Sequence, residues 1–435
     1  MPLMPARPRD AALIDLRTKG IPGGTVPFAI EDIDTQNWNV LDEDMPLPLA
    51  ILKDSNLRHN NLWMQKFLQA SGAMIAPHGK TTMSPELFDM QLDAGAWGIT
   101  LATPHQVQVA RSFGHKRILL ANQLVGKAAI RYVVNELNAD PDFEFYCLVD
   151  SSANVDKLAA AVRDAGSQRP MTVMVERGYL GGRTGCRTHE QAMDVARAVK
   201  ATQGALVLAG IECFEGLIHS FDPKEYRRKV SAILDDTVAL ARQCEAEGLF
   251  GTDRIILSAG GSQYYDIVAD AFANAGLATP TQVILRSGCY LTHDSVLYTF
   301  AFEQLRDRNP ELAAMDGGLR NAIEVWAYVQ SRPEPGKAIV AFGKRDASHD
   351  QLPVLLSWYR PESDMTGPEP LREGHKVTGM NDQHCHMEIP ESSPLAVGDM
   401  VAFGISHPCL TFDKWRTLFV VDDAYRVTSA VRTYF

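Results

Sequence analysis

The chain lacks the sequence features of a membrane protein and of a disulfide-stabilised secreted protein. No apolar stretch approaches the roughly 18 residues that span a bilayer. No continuous apolar region follows the basic residues and prolines near the N-terminus, as a secretory signal requires. The seven cysteines are odd in number and scattered, which indicates reduced thiols. We therefore expect a cytoplasmic protein without a membrane segment.

An excess of basic residues is also missing. The 53 Asp and Glu residues outnumber the 42 Lys and Arg residues, for a formal net charge of −11. Because nucleic acids are bound through clustered Lys and Arg, this balance argues against a nucleic-acid partner and favours small molecules. The length of 435 residues favours one large domain and a smaller one.

Short apolar runs alternate with amphipathic stretches of helical length from residue 74 onward, which is the pattern of parallel βα units. Eight alternating strands predict an α/β fold, a closed (β/α)8 TIM-type barrel. An open doubly wound sheet is the alternative, since its strands are equally buried and rich in Val, Ile and Leu. The predicted strands are 74–80, 98–103, 117–123, 143–150, 171–178, 205–217, 254–260 and 281–288.

The segments on either side of these runs have a different character. Turn signals rich in Pro and Gly separate short strand-like runs after about residue 300, and a strand at 48–53 with a helix at 54–70 precedes the barrel strands. We place the barrel domain at 46–295, a mainly β domain at 296–435, and an extension at 1–45 that packs on the β domain. The strand-like runs of the β domain are 337–342, 352–358, 384–389, 400–403 and 418–421.

Lys80 follows Pro77-His78-Gly79 at the end of the first predicted strand. Active sites of βα barrels form at the carboxyl ends of the strands. A lysine amine placed there can form a Schiff base with a carbonyl cofactor. A surface lysine after a strand is the alternative interpretation.

The seventh strand runs into the loop Ser258-Ala259-Gly260-Gly261-Ser262. Glycines let backbone N–H groups approach a phosphate, serines add hydroxyl donors, and the next helix points its positive end at the anion. Many barrels hold a phosphate after strands seven and eight, and Gly288 follows the eighth. A tight strand-to-helix connection is the alternative. A phosphate together with a Schiff-base lysine points to pyridoxal 5′-phosphate.

Four segments carry a family resemblance: 77–81, 98–104, 258–262 and 406–409. They resemble the alanine racemase-like, fold type III pyridoxal-phosphate enzymes, within them the branch of D-serine dehydratase and D-threonine aldolase. The resemblance runs from about residue 46 to the end. The 286–290 stretch departs from it, because the branch more usually has Pro in place of Ser287, and this departure bears on the substrate more than on the cofactor.

The resemblance implies roles for three charged residues. Lys80 would hold the cofactor and act as base on the substrate Cα, Arg183 would lie near the phenolic oxygen of the cofactor, and Arg286 near its pyridine nitrogen. An arginine at that nitrogen makes the ring a weaker electron sink, so a second electrophile is expected. A salt bridge at the barrel rim is the alternative for either arginine. Cys289 and Tyr290, after the eighth strand, complete the predicted cofactor site.

His407-Pro408-Cys409 is the predicted source of that electrophile. Residues two apart on a strand face the same side, and a ligand set of nitrogen and sulfur favours Zn²⁺. Two protein ligands leave positions for water and a substrate hydroxyl, as in catalytic zinc sites. Without the resemblance, a packed pair is the alternative. In the competing cluster at 384–386, we assign His384 a supporting role and leave a shared metal open.

These residues together predict an enzyme that removes water from a β-hydroxy D-amino acid, such as D-serine, D-threonine or D-threo-3-hydroxyaspartate, to give a 2-keto acid and ammonia. It would use pyridoxal phosphate and Zn²⁺ or another divalent metal. A D-threonine aldolase, an amino-acid racemase and a non-catalytic pyridoxal-phosphate carrier are the alternatives. By analogy with the family we expect a homodimer.

Overall fold

The computed structural model describes residues 13–218, 222–313, 315–371 and 373–435. The described chain forms two compact units. The barrel unit comprises Gln65–Lys80 and Gln91–Gly288, and the second unit comprises residues 13–64, Thr81–Met90 and Cys289–Phe435. In the part of the chain that the structure describes, no helix has both the length and the apolar character to cross a membrane.

Strands are numbered in chain order within the described residues. They are β1 (Leu13–Ile14), β2 (Phe28–Ala29), β3 (Leu49–Lys53), β4 (Met74–Ile75), β5 (Ile99–Leu101), β6 (Arg117–Gln123), β7 (Glu144–Val149), β8 (Met171–Arg177), β9 (Leu206–Cys213), β10 (Ile255–Ala259), β11 (Thr281–Leu285), β12 (Ile323–Glu334), β13 (Lys337–Val340), β14 (Val354–Tyr359), β15 (Lys376–Met380), β16 (Cys385–Glu388), β17 (Met400–Gly404), β18 (Thr417–Val421) and β19 (Val427–Arg432).

Helices are numbered in the same way. They are α1 (Asp54–Ser71), α2 (Pro85–Asp93), α3 (Pro104–Ser112), α4 (Lys127–Ala139), α5 (Ser152–Asp164), α6 (His189–Ala201), α7 (Pro223–Ala246), α8 (Tyr265–Ala273), α9 (Leu297–Arg308), α10 (Pro310–Ala313) and α11 (Cys409–Phe412). Two 3-10 helices lie at Ile30–Gln36 and Gly79–Thr81.

Side-chain caps start several barrel helices. Thr103 accepts a hydrogen bond from the Gln106 N–H at 3.3 Å, and Pro104 occupies the first position of α3. Thr188 and Gln191 form a reciprocal capping box at the start of α6. Such caps satisfy free N–H groups of a first turn, so the loops before these two helices have defined ends.

The barrel unit contains eight parallel strands, in the sheet order β4-β11-β10-β9-β8-β7-β6-β5. The two ends of this order are also joined, because the Trp97 N–H donates to the Ile75 carbonyl at 2.7 Å and the Thr100 N–H donates to the Pro77 carbonyl at 2.9 Å. The predicted TIM-type barrel is confirmed and the open sheet is wrong. Inside it lies a layer of buried side chains from these strands: Ala76, Leu119, Leu148, Met174, Ala209, Ile256 and Ile284.

The second unit is built on a nine-stranded sheet in which β12 is central. β12 pairs antiparallel with β3, β13 and β17, and β3 pairs parallel with β18. Strands β15 and β16 extend the sheet beyond β13, β19 extends it beyond β18, and β14 pairs with β17. The expectation of a second, mainly β domain is confirmed.

The structure divides the chain elsewhere than the predicted boundaries at 46 and 296. The strand before the barrel, β3, pairs with β12 and β18, so residues 46–64 belong to the second unit, as do Thr81–Met90 and Cys289 onward. Ile14, Ile33 and Met45 lie in the same apolar core as Trp326. Residues 1–12 of the predicted extension lie outside the described residues.

Among the described residues, five strands of the second unit were not among the predicted strands: β1, β2, β12, β15 and β19. Much of the first half of β12 is buried on both faces, so it lacks the alternation of a half-exposed strand. The turn between β12 and β13 comprises only Pro335 and Gly336. Glu334 pairs with Lys337 across it, and the register shifts between Ser331 and Glu334, which accommodates Pro333 inside the strand.

Candidate functional site

Lys80 lies in the short 3-10 helix that follows β4. Its side chain is partly buried, and no hydrogen bond or ion pair joins its amine to another residue in the described ranges. His78, two residues before it, has a buried Nδ1 that makes no hydrogen bond to any described residue. Burial, reinforced by the positive charges of Lys80 and Arg286, holds the pKa of His78 well below its usual range. The barrel unit therefore presents a free amine beside a neutral imidazole.

Arg286 lies just after β11 and is buried among polar groups of the barrel unit. Its Nη2 lies 2.6 Å from Glu212 Oε2. Its Nη1 donates to Ser258 Oγ at 2.7 Å, and that hydroxyl donates to the Ile284 carbonyl at 2.8 Å. The Ser258 hydroxyl, predicted as a phosphate donor, is therefore engaged by the guanidinium and a strand carbonyl.

The Gly260-Gly261 turn binds an anion, and this anion is the protein's own. The N–H groups of Gly260 and Gly261 donate to the Glu215 carboxylate at 3.2 and 2.6 Å. A Cβ at Gly261 would lie 2.3 Å from Glu215 Oε1, so a side chain there would push the carboxylate away. Burial raises the pKa of Glu215. The predicted anion-binding chemistry is present, but these two amides bind a carboxylate.

Two further predicted residues flank this turn. Ser262 follows it and is half-buried, and Gly288, at the end of the barrel unit, is buried. A Cβ at Gly260 would lie 2.7 Å from Arg286 Nη2. Glycine at 260 therefore lets the turn pack against the guanidinium.

Arg183 lies in the exposed loop after β8. Its guanidinium lies over the Phe214 ring, 4.9 Å from the centroid. The loop is tied to the buried Glu176, whose Oε1 accepts from Thr184 Oγ1 at 2.6 Å and whose Oε2 accepts from Gln123 Nε2 at 2.5 Å. Glu176 thus links the end of β6 to the loop that carries Arg183.

In the second unit, Cys409 lies among hydroxyl and thiol groups. Its thiol is 3.6 Å from Thr81 Oγ1 and 3.9 Å from Cys289 Sγ. Cys289 is buried and lies 3.8 Å from the same threonine hydroxyl. Thr81 directly follows Lys80 in the chain. Cys289, predicted as a cofactor residue, therefore lies with the predicted metal ligand Cys409.

The expected backbone geometry around His407 and Cys409 is wrong. The argument from a strand does not apply, because Pro408 has helical dihedral angles and Cys409 begins α11. A turn, rather than strand alternation, brings the two side chains together, and the Thr411 hydroxyl donates to the His407 carbonyl at 3.1 Å.

His407 is oriented by a carboxylate. Its Nδ1 lies 2.8 Å from Asp350 Oδ2. Hydrogen bonding to Cys409, and then to Asp350, raises the pKa of His407 to about 9 against the opposing effect of burial. Hydrogen bonds from Cys289 and His407 hold the pKa of the Cys409 thiol well below its usual range despite burial. Both shifts favour a proton on His407 and its loss from Cys409.

Two acidic groups lie next to this pair. Cys409 and burial raise the pKa of the Cys289 thiol, and the Tyr298 hydroxyl opposes the shift. Burial raises the pKa of Asp294 to about 7. Tyr290, also predicted for the cofactor, donates its hydroxyl to Asn61 Oδ1 at 3.2 Å.

The 384–386 cluster is separate. His386 Nε2 lies 2.6 Å from Asn381 Oδ1, the His384 carbonyl accepts from the Asn381 N–H, and Cys385 is buried in β16. Across the residues that the structure describes, no set of three or more His, Cys, Asp and Glu side chains is arranged to hold one metal ion. The zinc site at His407 and Cys409 stays a prediction.

Sequence reasoning missed Glu212, Glu215 and Asp350. The first two lie within the predicted strand at 205–217, where carboxylates inside an apolar run were a usable signal of a buried polar site. Asp350 lies 57 residues from His407 in the chain, and no local pattern distinguishes it from other loop aspartates.

The fold and the site define a class of protein, and comparisons with known families agree. Residues 53–263 match the alanine racemase N-terminal domain, and residues 322–421 match the putative serine dehydratase domain. The chain belongs to the alanine racemase-like, fold type III family of pyridoxal-phosphate enzymes.

Particular relatives are similar over most of the chain. A D-threonine aldolase of Arthrobacter sp. is 23% identical and aligns with 85% of this chain and 86% of its own. A D-threo-3-hydroxyaspartate dehydratase of Delftia sp. (strain HT23) is 25% identical and aligns with 84% and 91%. The D-threonine aldolase of Filomicrobium marinum superposes with a TM-score of 0.71 at 21% identity, over 90% of this chain and 95% of that chain, which shows a shared fold.

Proposed function

We propose that this protein is a pyridoxal-phosphate- and zinc-dependent dehydratase of β-hydroxy D-amino acids, which releases a 2-keto acid and ammonia. D-serine, D-threonine and D-threo-3-hydroxyaspartate are the candidate substrates. Another divalent metal could take the place of zinc. The observation that carries the proposal is the pairing of Cys409 with His407, whose Nδ1 faces Asp350. The family and its dehydratase relative support it.

The barrel residues fit an aldehyde cofactor with a basic heteroaromatic ring. Lys80 has a free amine, Arg286 offers a buried guanidinium, and the unpartnered Nδ1 of His78 is a polar atom that a ligand can satisfy. A phosphate at the Gly260 and Gly261 amides would compete with Glu215. When bound, pyridoxal phosphate supplies a carbonyl that condenses with amines and an electron sink.

Each barrel residue then has a defined task. With the cofactor bound, the Lys80 amine would take the proton from the substrate Cα. Arg286 would bind at the ring nitrogen and Arg183 at the phenolic oxygen. His78 stays neutral and does not compete with Lys80 for the proton.

The residues of the second unit fit a soft divalent metal. Imidazole nitrogen and thiolate sulfur suit Zn²⁺. A histidine whose Nδ1 faces a carboxylate presents Nε2 to the metal in a fixed tautomer, which is the role we give to Asp350. Zinc bound there would polarise the β-hydroxyl and make it a better leaving group. His407 and Cys409 would hold it.

A D-threonine aldolase is the second candidate, since one such enzyme aligns with 85% of the chain. Aldol cleavage needs a base at the β-hydroxyl, whereas dehydration needs an acid there. The thiolate donor Cys409 favours zinc over the harder metals that carboxylates select, and therefore favours dehydration.

The products formed from D-threonine test the proposal. We expect 2-oxobutanoate and ammonia in equal amounts, loss of turnover after chelation, and recovery when zinc is added back. L-threonine is the control substrate and should give neither product. Glycine and acetaldehyde would establish the aldolase, and interconversion of D- and L-threonine the racemase. No turnover of any D-amino acid by metal-loaded protein would favour the non-catalytic carrier.

We also propose a homodimer, which light scattering can test on the intact protein.

A further inference from the structure

A buried ion pair lies inside the barrel unit, between the end of β9 and the end of β11. The side chains of Glu212 and Arg286 are 1% and 3% exposed, with Oε2 and Nη2 2.6 Å apart. Two opposite charges withdrawn from water in this way depend on each other, because removal of either leaves the other buried and uncompensated. The pair is therefore a unit rather than two independent residues.

The guanidinium is held on several sides. Ser258 Oγ accepts from Nη1 at 2.7 Å, and the Cys213 carbonyl accepts from Nη2 at 3.2 Å. The Gly260 backbone packs so close that a Cβ there would lie 2.9 Å from Nε. With Glu212 on the Nη2 side, the position of Arg286 is fully determined by its neighbours.

Glu212 is not fully engaged by hydrogen bonds, unlike a carboxylate with a purely structural role. Its Oε2 contacts Arg286 as an ion pair without hydrogen-bond geometry, and no described group donates a hydrogen bond to it. Burial raises the pKa of Glu212 to about 7; Arg286 and Arg183 oppose this shift and Glu176 adds to it. The carboxylate can therefore respond to a charge change beside Arg286.

We propose that Glu212 is a positioning residue that neutralises Arg286, so that the ring nitrogen of the cofactor faces a neutral Arg–Glu pair instead of a lone cation. This inference rests on the proposed function, which places Arg286 at that nitrogen. A lone guanidinium opposes protonation of a nearby nitrogen by charge repulsion, and a paired guanidinium opposes it less. The ring therefore keeps more of its electron-withdrawing power than an unpaired arginine would allow.

Pyridoxine 5′-phosphate tests this directly. It has the ring and the phosphate but no aldehyde, so it cannot condense with Lys80. Its ultraviolet absorbance reports the protonation of the ring nitrogen. In complex with the intact protein, we expect Glu212→Gln to lower the midpoint of this protonation by about one pH unit, a roughly tenfold change in the equilibrium.

Two variants separate electrostatic tuning from loss of structure. Glu212→Asp keeps the negative charge, so the protonation midpoint of its complex should lie close to that of the wild-type complex. Glu176→Gln removes a neighbouring buried carboxylate that hydrogen-bonds Gln123 and Thr184 without an ion pair to Arg286, and should shift the midpoint by less than about threefold in the equilibrium.

The outcomes are distinct. A Glu212→Gln complex with the wild-type midpoint overturns the inference and leaves the proposed function intact. Wild-type protein that does not bind the analogue at all contradicts the proposed cofactor site itself. Should Glu212→Gln fail to fold, the wild-type complex decides: a ring that faces a neutral pair should keep its protonation midpoint within about one pH unit of the free analogue, and a midpoint lowered further contradicts the inference.

Discussion

The barrel unit and the second unit bury their polar groups in different ways. In the barrel unit, carboxylates accept hydrogen bonds from hard donors at short distances, such as 2.6 Å from the Gly261 N–H to Glu215. In the second unit, the thiols of Cys289 and Cys409 contact each other and Thr81 at 3.6–3.9 Å. Hard, short contacts define fixed positions, whereas sulfur groups are weak hydrogen-bond partners and strong ligands of soft metals. The two units therefore suit two kinds of bound group.

The largest predicted effect is the loss of activity on substitution of Lys80 in the barrel unit or of Cys409 in the second unit. Lys80→Ala should lower activity by more than about 10³-fold, because both the cofactor attachment and the base are lost, while bound zinc stays unchanged. Cys409→Ser should lose zinc and activity while the absorbance of the bound cofactor persists. Metal analysis and the cofactor spectrum, measured on the same samples, check both halves.

Cys385→Ser is the matched control for this experiment. Cys385 is a buried cysteine of the second unit, on β16, and its removal should change neither zinc content nor the spectrum. Zinc lost from Cys385→Ser but retained by Cys409→Ser would contradict the assignment. Full activity of Lys80→Ala would contradict the role of the barrel lysine.

The next effect concerns the orientation of His407. Asp350→Asn should weaken zinc binding by about 10–100-fold, since loss of such a carboxylate commonly costs that much metal affinity. Competition with a chelating indicator measures it. Asp382→Asn is the control, because Asp382 forms an exposed ion pair with Arg345 at 3.3 Å and should leave the affinity unchanged. Equal zinc affinities for the two variants would contradict the role of Asp350 in orienting His407.

The smallest predicted effect concerns the short hydrogen bonds to buried carboxylates in the barrel unit. Gly261→Ala should destabilise the protein by about 1–3 kcal/mol, because its Cβ would displace Glu215 and leave a buried carboxylate with fewer donors. Chemical denaturation measures the free energy of unfolding. At Gly379 an added Cβ meets no atom within 4 Å, so Gly379→Ala is the matched control. Equal free energies of unfolding for the two variants would show that stability does not depend on the contact between Gly261 and Glu215.

Much of the barrel was predictable, because each strand lies in a local apolar run and several helices begin at local caps. The eight predicted strands contain β4 to β11, and Lys80 lies at the end of the first of them. The strand at β3 was also predicted, but not its place in the second sheet. Pairing with β12 joins residues 49 and 326, and contacts at such separation leave no local pattern.

The candidate site shows the same difference between residues that local sequence predicts and partners from distant segments. Local sequence pointed to Lys80, to the glycines at 260 and 261, and to His407 with Cys409. It did not reveal that Glu215 occupies the glycine amides, or that Asp350 faces His407. Each of those partners comes from another segment of the chain, and its contribution depends on burial and on distances of a few ångströms.

Neighbouring residues are enough to specify the repeated βα pattern, the order of the two domains and the chemical types of the candidate groups. Only the folded chain brings particular groups into contact, as it does for Glu212 with Arg286 and for Cys289 with Cys409. These pairings could not be read from the sequence, because electrostatic and thiol contacts act over a few ångströms in space, regardless of how far apart the partners lie in the chain.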